Sequence, residues 1–94
     1  MSETRTISVI VTGSVQGVSY RAWTQSEARA RGLAGTVRNR DDGSVEAVFS
    51  GAPEAVAEME ALCRSGPPGA RVADVTARDG GDVPTGGAFR ILRD

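Results

Sequence analysis

The chain has neither histidine nor lysine, so all 11 of its basic residues are arginine. That double absence excludes Ser–His and Cys–His nucleophile pairs, the lysine-bearing phosphate loop of nucleotide hydrolases, Schiff-base chemistry and nearly every zinc site. A single cysteine, Cys63, excludes an internal disulfide framework and suits a reducing compartment. The formal charge is only −1, which leaves no basic footprint for nucleic acid and no acidic tail. Long apolar runs are missing too. The start, Met1 to Arg5, is polar, so neither a signal segment nor a membrane span is expected. What remains is one cytoplasmic domain, residues 1–94, with one modest core. Any catalysis has to come from carboxylates, arginine, amides, hydroxyls and backbone donors.

Thr6 to Thr12 alternates, with Ile7, Val9 and Val11 on one face, and predicts a half-buried strand. Tyr20 to Arg31 is rich in helix formers and closes on Gly32; its stripe is Tyr20, Thr24 and Ala28, with Trp23 off it. Ala34 to Arg40 and Ser44 to Ser50 flank Asp41-Asp42-Gly43 and read as a hairpin, with Val37 and Asn39 sharing one face. Val45, Ala47 and Phe49 are expected to face the core from its second strand. Pro53 opens a second helix whose stripe is Val56, Met59, Leu62 and Cys63, and Gly66-Pro67-Pro68-Gly69 ends it. Val72 to Asp79 predicts a strand with Ala73, Val75 and Ala77 alternating. Gly80 to Gly87 reads as a mobile glycine-rich connection, and Phe89 to Leu92 as a short last strand. The order predicts an α+β, ferredoxin-like βαββαβ sandwich: a mainly antiparallel sheet, two helices on one face and a short extra C-terminal strand.

The chemistry concentrates in Thr12 to Arg21. Gly13 and Gly17 bracket a strand-to-helix turn, where successive backbone N–H groups and a helix N-terminus make a concave anion site. Arg21 falls in the first helical turn, a poor place for a cation unless it faces an anion. From these residues alone, a plain connection carrying a surface arginine is an equal reading.

Two longer stretches decide further. V-T-G-S-V-Q-G-V-S-Y-R (Val11 to Arg21) and G-T-V-R-N-R-D-D-G-S-V-E-A-V-F-S-G (Gly35 to Gly51) strongly resemble the acylphosphatase family. The likeness runs on through P-E-A-V, G-P-P-G-A-R-V and the Phe89-x-Ile91 ending. The resemblance implies the same fold and hydrolysis of small acyl phosphates to a carboxylate and inorganic phosphate, without metal, cofactor or covalent intermediate. By position Arg21 matches the substrate-binding arginine and Asn39 the catalytic asparagine. Ser14, Val15, Gln16, Gly17, Val18, Ser19 and Tyr20 match the phosphate loop. Ser14 stands where a basic residue is usual and Thr36 where tryptophan is usual, the latter expected to leave one end of the core less filled. The protein is expected to act as a monomer, away from membrane and nucleic acid.

The reaction suits the residues. A carboxylate leaving group, with a conjugate-acid pKa of roughly 4 to 5, departs unprotonated. Phosphoryl transfer through a loose transition state needs the water positioned more than deprotonated. Tyr20 and Trp23 read as packing or rim residues, Cys63 as a buried filler and Asp41 with Asp42 as turn residues. Arg38 and Arg40 point to the opposite face from Asn39, as solvated charges. Two other classes stay open: a module that binds such a phosphate without turning it over, and an RNA-binding ferredoxin-like domain. The latter needs exposed aromatics on the central strands, where only Phe49 lies.

Overall fold

The structure, a computed structural model, describes residues 3–93; Met1, Ser2 and Asp94 of the expected domain lie outside the described residues. The elements run β1 (Arg5–Ser14), α1 (Tyr20–Ala30), β2 (Ala34–Asn39), β3 (Val45–Gly51), α2 (Pro53–Ser65), β4 (Arg71–Asp79) and β5 (Phe89–Ile91). The sheet order is β4-β1-β3-β2-β5, antiparallel throughout except for the β2–β5 pair. This is the ferredoxin-like arrangement with an added edge strand.

Period-two burial explains the central strands. Ile7, Val9, Val11, Val37, Val45 and Phe49 are fully buried beneath the helices, and Ala47 nearly so. α1 buries Tyr20, Thr24 and Ala28, the stripe the spacing predicts, while Trp23 is half-buried and meets Tyr20 edge-on at 5.3 Å. Its end is a Schellman closure: Gly32 N–H donates to the Arg29 carbonyl and Leu33 N–H to that of Ala28, with Gly32 at φ 69°. α2 buries Val56, Met59 and Cys63, and Leu62 packs at the margin of the core.

Four expectations need correcting. β4 does not keep one alternation, because the register with β1 shifts between Thr12 and Gly13. That bulge turns Ala73 outward and brings Val72 against the core. Gly13 makes the bulge possible: at φ 123°, a Cβ there would lie 2.1 Å from the Arg71 carbonyl oxygen. Arg38 is not merely solvated, since its Nε donates to Glu46 across the hairpin at 2.8 Å. The 80–88 connection starts pinned, with Gly80 N–H on the Thr6 carbonyl and Ser8 Oγ on the Gly80 carbonyl. Thr36 faces away from the helices, beside Ser8, Val48 and Gly81. Space left by a smaller side chain there belongs to an outer cleft and not to the core.

Topology then decides what meets at one end of the sheet. β1 and β2 both pair antiparallel with β3, so their C-terminal ends lie together, with Val11, Val45 and Asn39 in one row. β5 runs parallel to β2 and ends at the same side. The hairpin turn below Asn39 is closed by Asp42, whose Oδ1 accepts from Ser44 Oγ at 2.5 Å and Ser44 N–H at 2.9 Å. These bonds, the side-chain one first, hold the Asp42 carboxyl below its usual value. Folding therefore favours the charged form, so its contribution is complete above the usual aspartate pKa of about 3.9 and fades as pH falls through the lower folded value. Accordingly, Asp42→Ala should lower the urea midpoint at pH 7, and the gap to wild type should narrow as pH falls below the usual aspartate value.

Candidate active site

The loop from β1 to α1 is held from below and from the side. Val15 is fully buried and nails its start to the core. Gln16 Nε2 donates to the carbonyls of Arg40 at 2.8 Å and Ser44 at 2.9 Å, clamping the loop to the β2–β3 turn. Tyr20 anchors its end: the ring is 2% exposed and the hydroxyl donates to the Cys63 carbonyl at 2.8 Å. Burial pushes the phenol above its usual pKa, so it stays a neutral donor. Burial likewise raises the Cys63 thiol, to about 12, which leaves it unreactive at neutral pH.

Between these anchors the backbone is unusual. Gly17 has φ 77° and Ser19 φ 62°, and Ser19 alone among the described non-glycine residues is left-handed. Left-handed residues within a turn are how successive N–H groups come to face one side. Ser19 precedes α1 without making a side-chain cap, and no acidic residue occupies the first turn. The first backbone bond of the helix is Trp23 N–H to the Ser19 carbonyl; among the described residues, the N–H groups from Val15 to Ala22 find no acceptor. A run of unpaired donors at a helix N-terminus is an anion site in backbone form.

These donors open onto a cavity of about 350 Å³. Val15, Gly17, Ser19 and Tyr20 form one wall, Arg21 and Ala22 another, and Asn39, Ile91 and Arg93 the third. Beyond it lies a further space of about 390 Å³ bounded by Arg21, Asn39, Leu92 and Arg93. The structure thus brings Arg21 and Asn39 to one cavity from α1 and β2. Arg21 Nη1 reaches the Leu92 carbonyl at a long 3.4 Å, which leaves most of the guanidinium's donors available. Of the loop residues read from the sequence, Ser14, Gln16 and Val18 do not line the cavity with their side chains. Ser14 is exposed, Val18 packs on the core, and Gln16 is spent on the hairpin. What Gln16 and Val18 can offer an anion is their backbone N–H.

Ala22, Ile91, Leu92 and Arg93 were not singled out from the sequence. Phe89, Ile91 and Arg93 continue one period-two alternation, the signal by which the last arginine could have been found. α1 holds β5 in place: Gln25 Nε2 and Arg29 donate to the Phe89 carbonyl, while the Phe89 ring stacks on Phe49 at 5.6 Å. Among the described residues, no three acidic or cysteine side chains converge as metal ligands. No helix is long and apolar enough to cross a membrane.

Fold and site together define a ferredoxin-like α+β domain whose cavity is walled by free backbone N–H groups and arginine. The profile of the acylphosphatase family matches residues 7–91. The chain is 59% identical over 75 residues to an acylphosphatase of Bradyrhizobium diazoefficiens, covering 80% of this chain and 76% of that one. It is 50% identical to an acylphosphatase of Azorhizobium caulinodans over 94% of this chain and 95% of that one. The crystal structure of an acylphosphatase from Bacillus subtilis superposes with a TM-score of 0.88 at 35% identity, covering 95% of this chain and 99% of that one. The chain belongs to the acylphosphatase family, enzymes that hydrolyse acyl phosphates.

The clamp made by Gln16 gives a test of how the loop is held. Each of its bonds is worth about 1 kcal/mol, so Gln16→Leu should cost about 1–2 kcal/mol in urea unfolding and lower kcat by loosening the loop against Asn39. Gln16→Glu should be worse, since it sets a carboxylate against two carbonyl oxygens.

Proposed function

We propose that this chain hydrolyses small acyl phosphates by direct in-line attack of water, with Arg21 clamping the phosphoryl group, Asn39 orienting the water, and neither metal nor covalent intermediate. The observation that carries the reading is the run of unpaired N–H groups from Val15 to Ala22, most of whose residues line one cavity with Arg21 and Asn39. The backbone donors and the planar Arg21 fork suit the equatorial phosphoryl oxygens, where charge gathers in the transition state. The Asn39 amide can both accept from and donate to a water, which places it without removing its proton. As the water oxygen bonds to phosphorus, the phosphorus–acyl oxygen bond breaks and its electrons leave on the carboxylate. The water's proton passes to the departing inorganic phosphate or to solvent. No general acid is required, which fits a chain without histidine.

Turnover rather than mere binding is favoured by Asn39, a neutral amide that adds little to holding an anion but much to aligning a nucleophile. An RNA platform has less support, because Phe49 is fully buried. The finer expectations, a cytoplasmic monomer without a nucleic-acid partner, belong to this proposal.

Steady-state hydrolysis of benzoyl phosphate in excess chelator tests the scheme. Full activity is expected; loss restored by magnesium or zinc would contradict it. Asn39→Ala should lower kcat by on the order of 100-fold while the inhibition constant for phosphate stays within a few-fold. Arg21→Lys should lose both turnover and phosphate inhibition, since an ammonium cannot make two parallel bonds.

A further inference from the structure

In-line attack fixes which side of phosphorus each partner takes. Water and the leaving acyl oxygen lie on opposite sides, so with water at Asn39 the acyl chain runs away from Asn39. The space of about 390 Å³ bounded by Arg21, Asn39, Leu92 and Arg93 has no residue of the phosphate loop in its wall. It lies on the Asn39 side, the side from which water arrives.

Arg93 is brought there by strand geometry. The parallel register pairs Gly35 with Phe89, Thr36 with Arg90 and Val37 with Ile91. The ladder continues one step, with Leu92 N–H on the Val37 carbonyl at 2.8 Å. Carried on in the same register, Arg93 comes level with Asn39, on the face of Val37 and Ile91 and one strand spacing of about 4.8 Å away. It accordingly lines both parts of the cavity.

Among the described residues, Arg21 and Arg93 are the only charged side chains in the walls of the two spaces. Arg5, Arg31, Arg38 and Arg64 each have a carboxylate within ion-pair distance, whereas no described carboxylate lies that close to Arg93. Attack forms the bond from the water oxygen to phosphorus and breaks the phosphorus–acyl oxygen bond, whose electron pair leaves on the carboxylate. Both water protons stay with the phosphate, and one passes to solvent near neutral pH. The three equatorial oxygens invert, and the new oxygen stands where the water stood, beside Asn39 and Arg93. With substrate bound, that position holds a neutral water. With product bound, it holds an oxygen of a phosphate anion, and only the second state gives a guanidinium a charged partner.

We propose that Arg93 is a product-binding residue, which grips the phosphate oxygen delivered by water and so strengthens inhibition by inorganic phosphate. This rests on the assignment of the phosphoryl group to the loop and Arg21, and of the water to Asn39. The site then reads three phosphoryl oxygens in the substrate and four in the product. As phosphate accumulates it holds turnover back, through a residue outside the cradle that substrate uses far less. Because Arg93 is exposed, the grip is sensitive to salt.

The test compares inorganic phosphate with methylphosphonate as competitive inhibitors of benzoyl phosphate hydrolysis, at a pH alkaline enough for both to be dianions. Methylphosphonate keeps three phosphoryl oxygens and carries a methyl group in place of the fourth. Phosphate should inhibit wild type about tenfold more tightly than methylphosphonate at low ionic strength. The difference should shrink in 0.5–1 M salt, where the screening length is down to roughly 3–4 Å. In Arg93→Gln the inhibition constant for phosphate should rise about tenfold, while the KM for benzoyl phosphate and the inhibition constant for methylphosphonate rise less than about threefold. Arg93→Lys, which keeps the charge, should restore part of the phosphate preference. Circular dichroism and urea midpoints confirm that each variant is folded. A wild type that does not distinguish the two inhibitors overturns the proposal, as does a phosphate preference that survives Arg93→Gln. An equal rise in all three constants also overturns it, since Arg93 would then serve the shared phosphoryl group. Failure of the parent reading shows differently: wild type would leave benzoyl phosphate intact, or Asn39→Ala would keep its kcat, and the proposal would fall with it.

Discussion

Backbone N–H groups without acceptors are the constraint on which the rest of this structure depends. A stretch of donors from Val15 to Ala22 kept from bonding to its own chain would ordinarily relax, by extending α1 backward or by folding onto a neighbouring carbonyl. Three anchors prevent that. Val15 is buried, the Gln16 amide is bonded to the hairpin, and the Tyr20 hydroxyl is bonded to the end of α2. Between the anchors Gly17 and Ser19 take left-handed angles, costly for serine, and so hold the donors toward the cavity. Bonding energy from the core and the hairpin keeps the loop in a shape that an anion can complete.

The sheet supplies what a loop cannot. Three strand ends converge at this site because β1 and β2 share β3 as a neighbour and β5 runs parallel to β2. Asn39 is therefore presented by a strand interior on one side and a tight turn on the other, with Asp42 and Ser44 closing the turn. Rigid presentation suits a residue whose work is to aim a water, since a small misplacement costs much in rate. Gln16 links the two devices, because the carbonyls it grips, those of Arg40 and Ser44, flank that same turn. Loop and asparagine are thus fastened to the same turn.

Much of this was legible in the residues. Alternation in β1 and β3, the Asp-Asp-Gly turn and the stripe of α2 each state which face is buried, because burial follows period and turn chemistry is local. Arg21 and Asn39 stand out through the family resemblance, and the structure brings both to one cavity. What escaped the sequence depends on partners distant along the chain. Nothing in Val72 to Asp79 announces the bulge opposite Gly13, which inverts Ala73 and Val72. Gly80 to Gly87 reads as a connection, yet its route from one sheet edge to the other follows only from where β5 pairs. Arg93 was missed for the same reason: its neighbour Asn39 lies far back in the chain, across a parallel pairing. The side chain of Gln16 resembles a ligand of the substrate until the hairpin carbonyls are seen beside it.

The central claim is that the N–H groups of Val15 to Ala22, with Arg21, hold the phosphoryl group. Titrating ¹⁵N-labelled protein with inorganic phosphate and following amide chemical shifts addresses it residue by residue. The account predicts that the amides from Val15 to Ala22 move together, saturate at one dissociation constant, and are accompanied by the Arg21 side-chain Nε–H. Shifts centred instead on the Arg38 to Asp42 hairpin, with the loop amides unmoved, would contradict it.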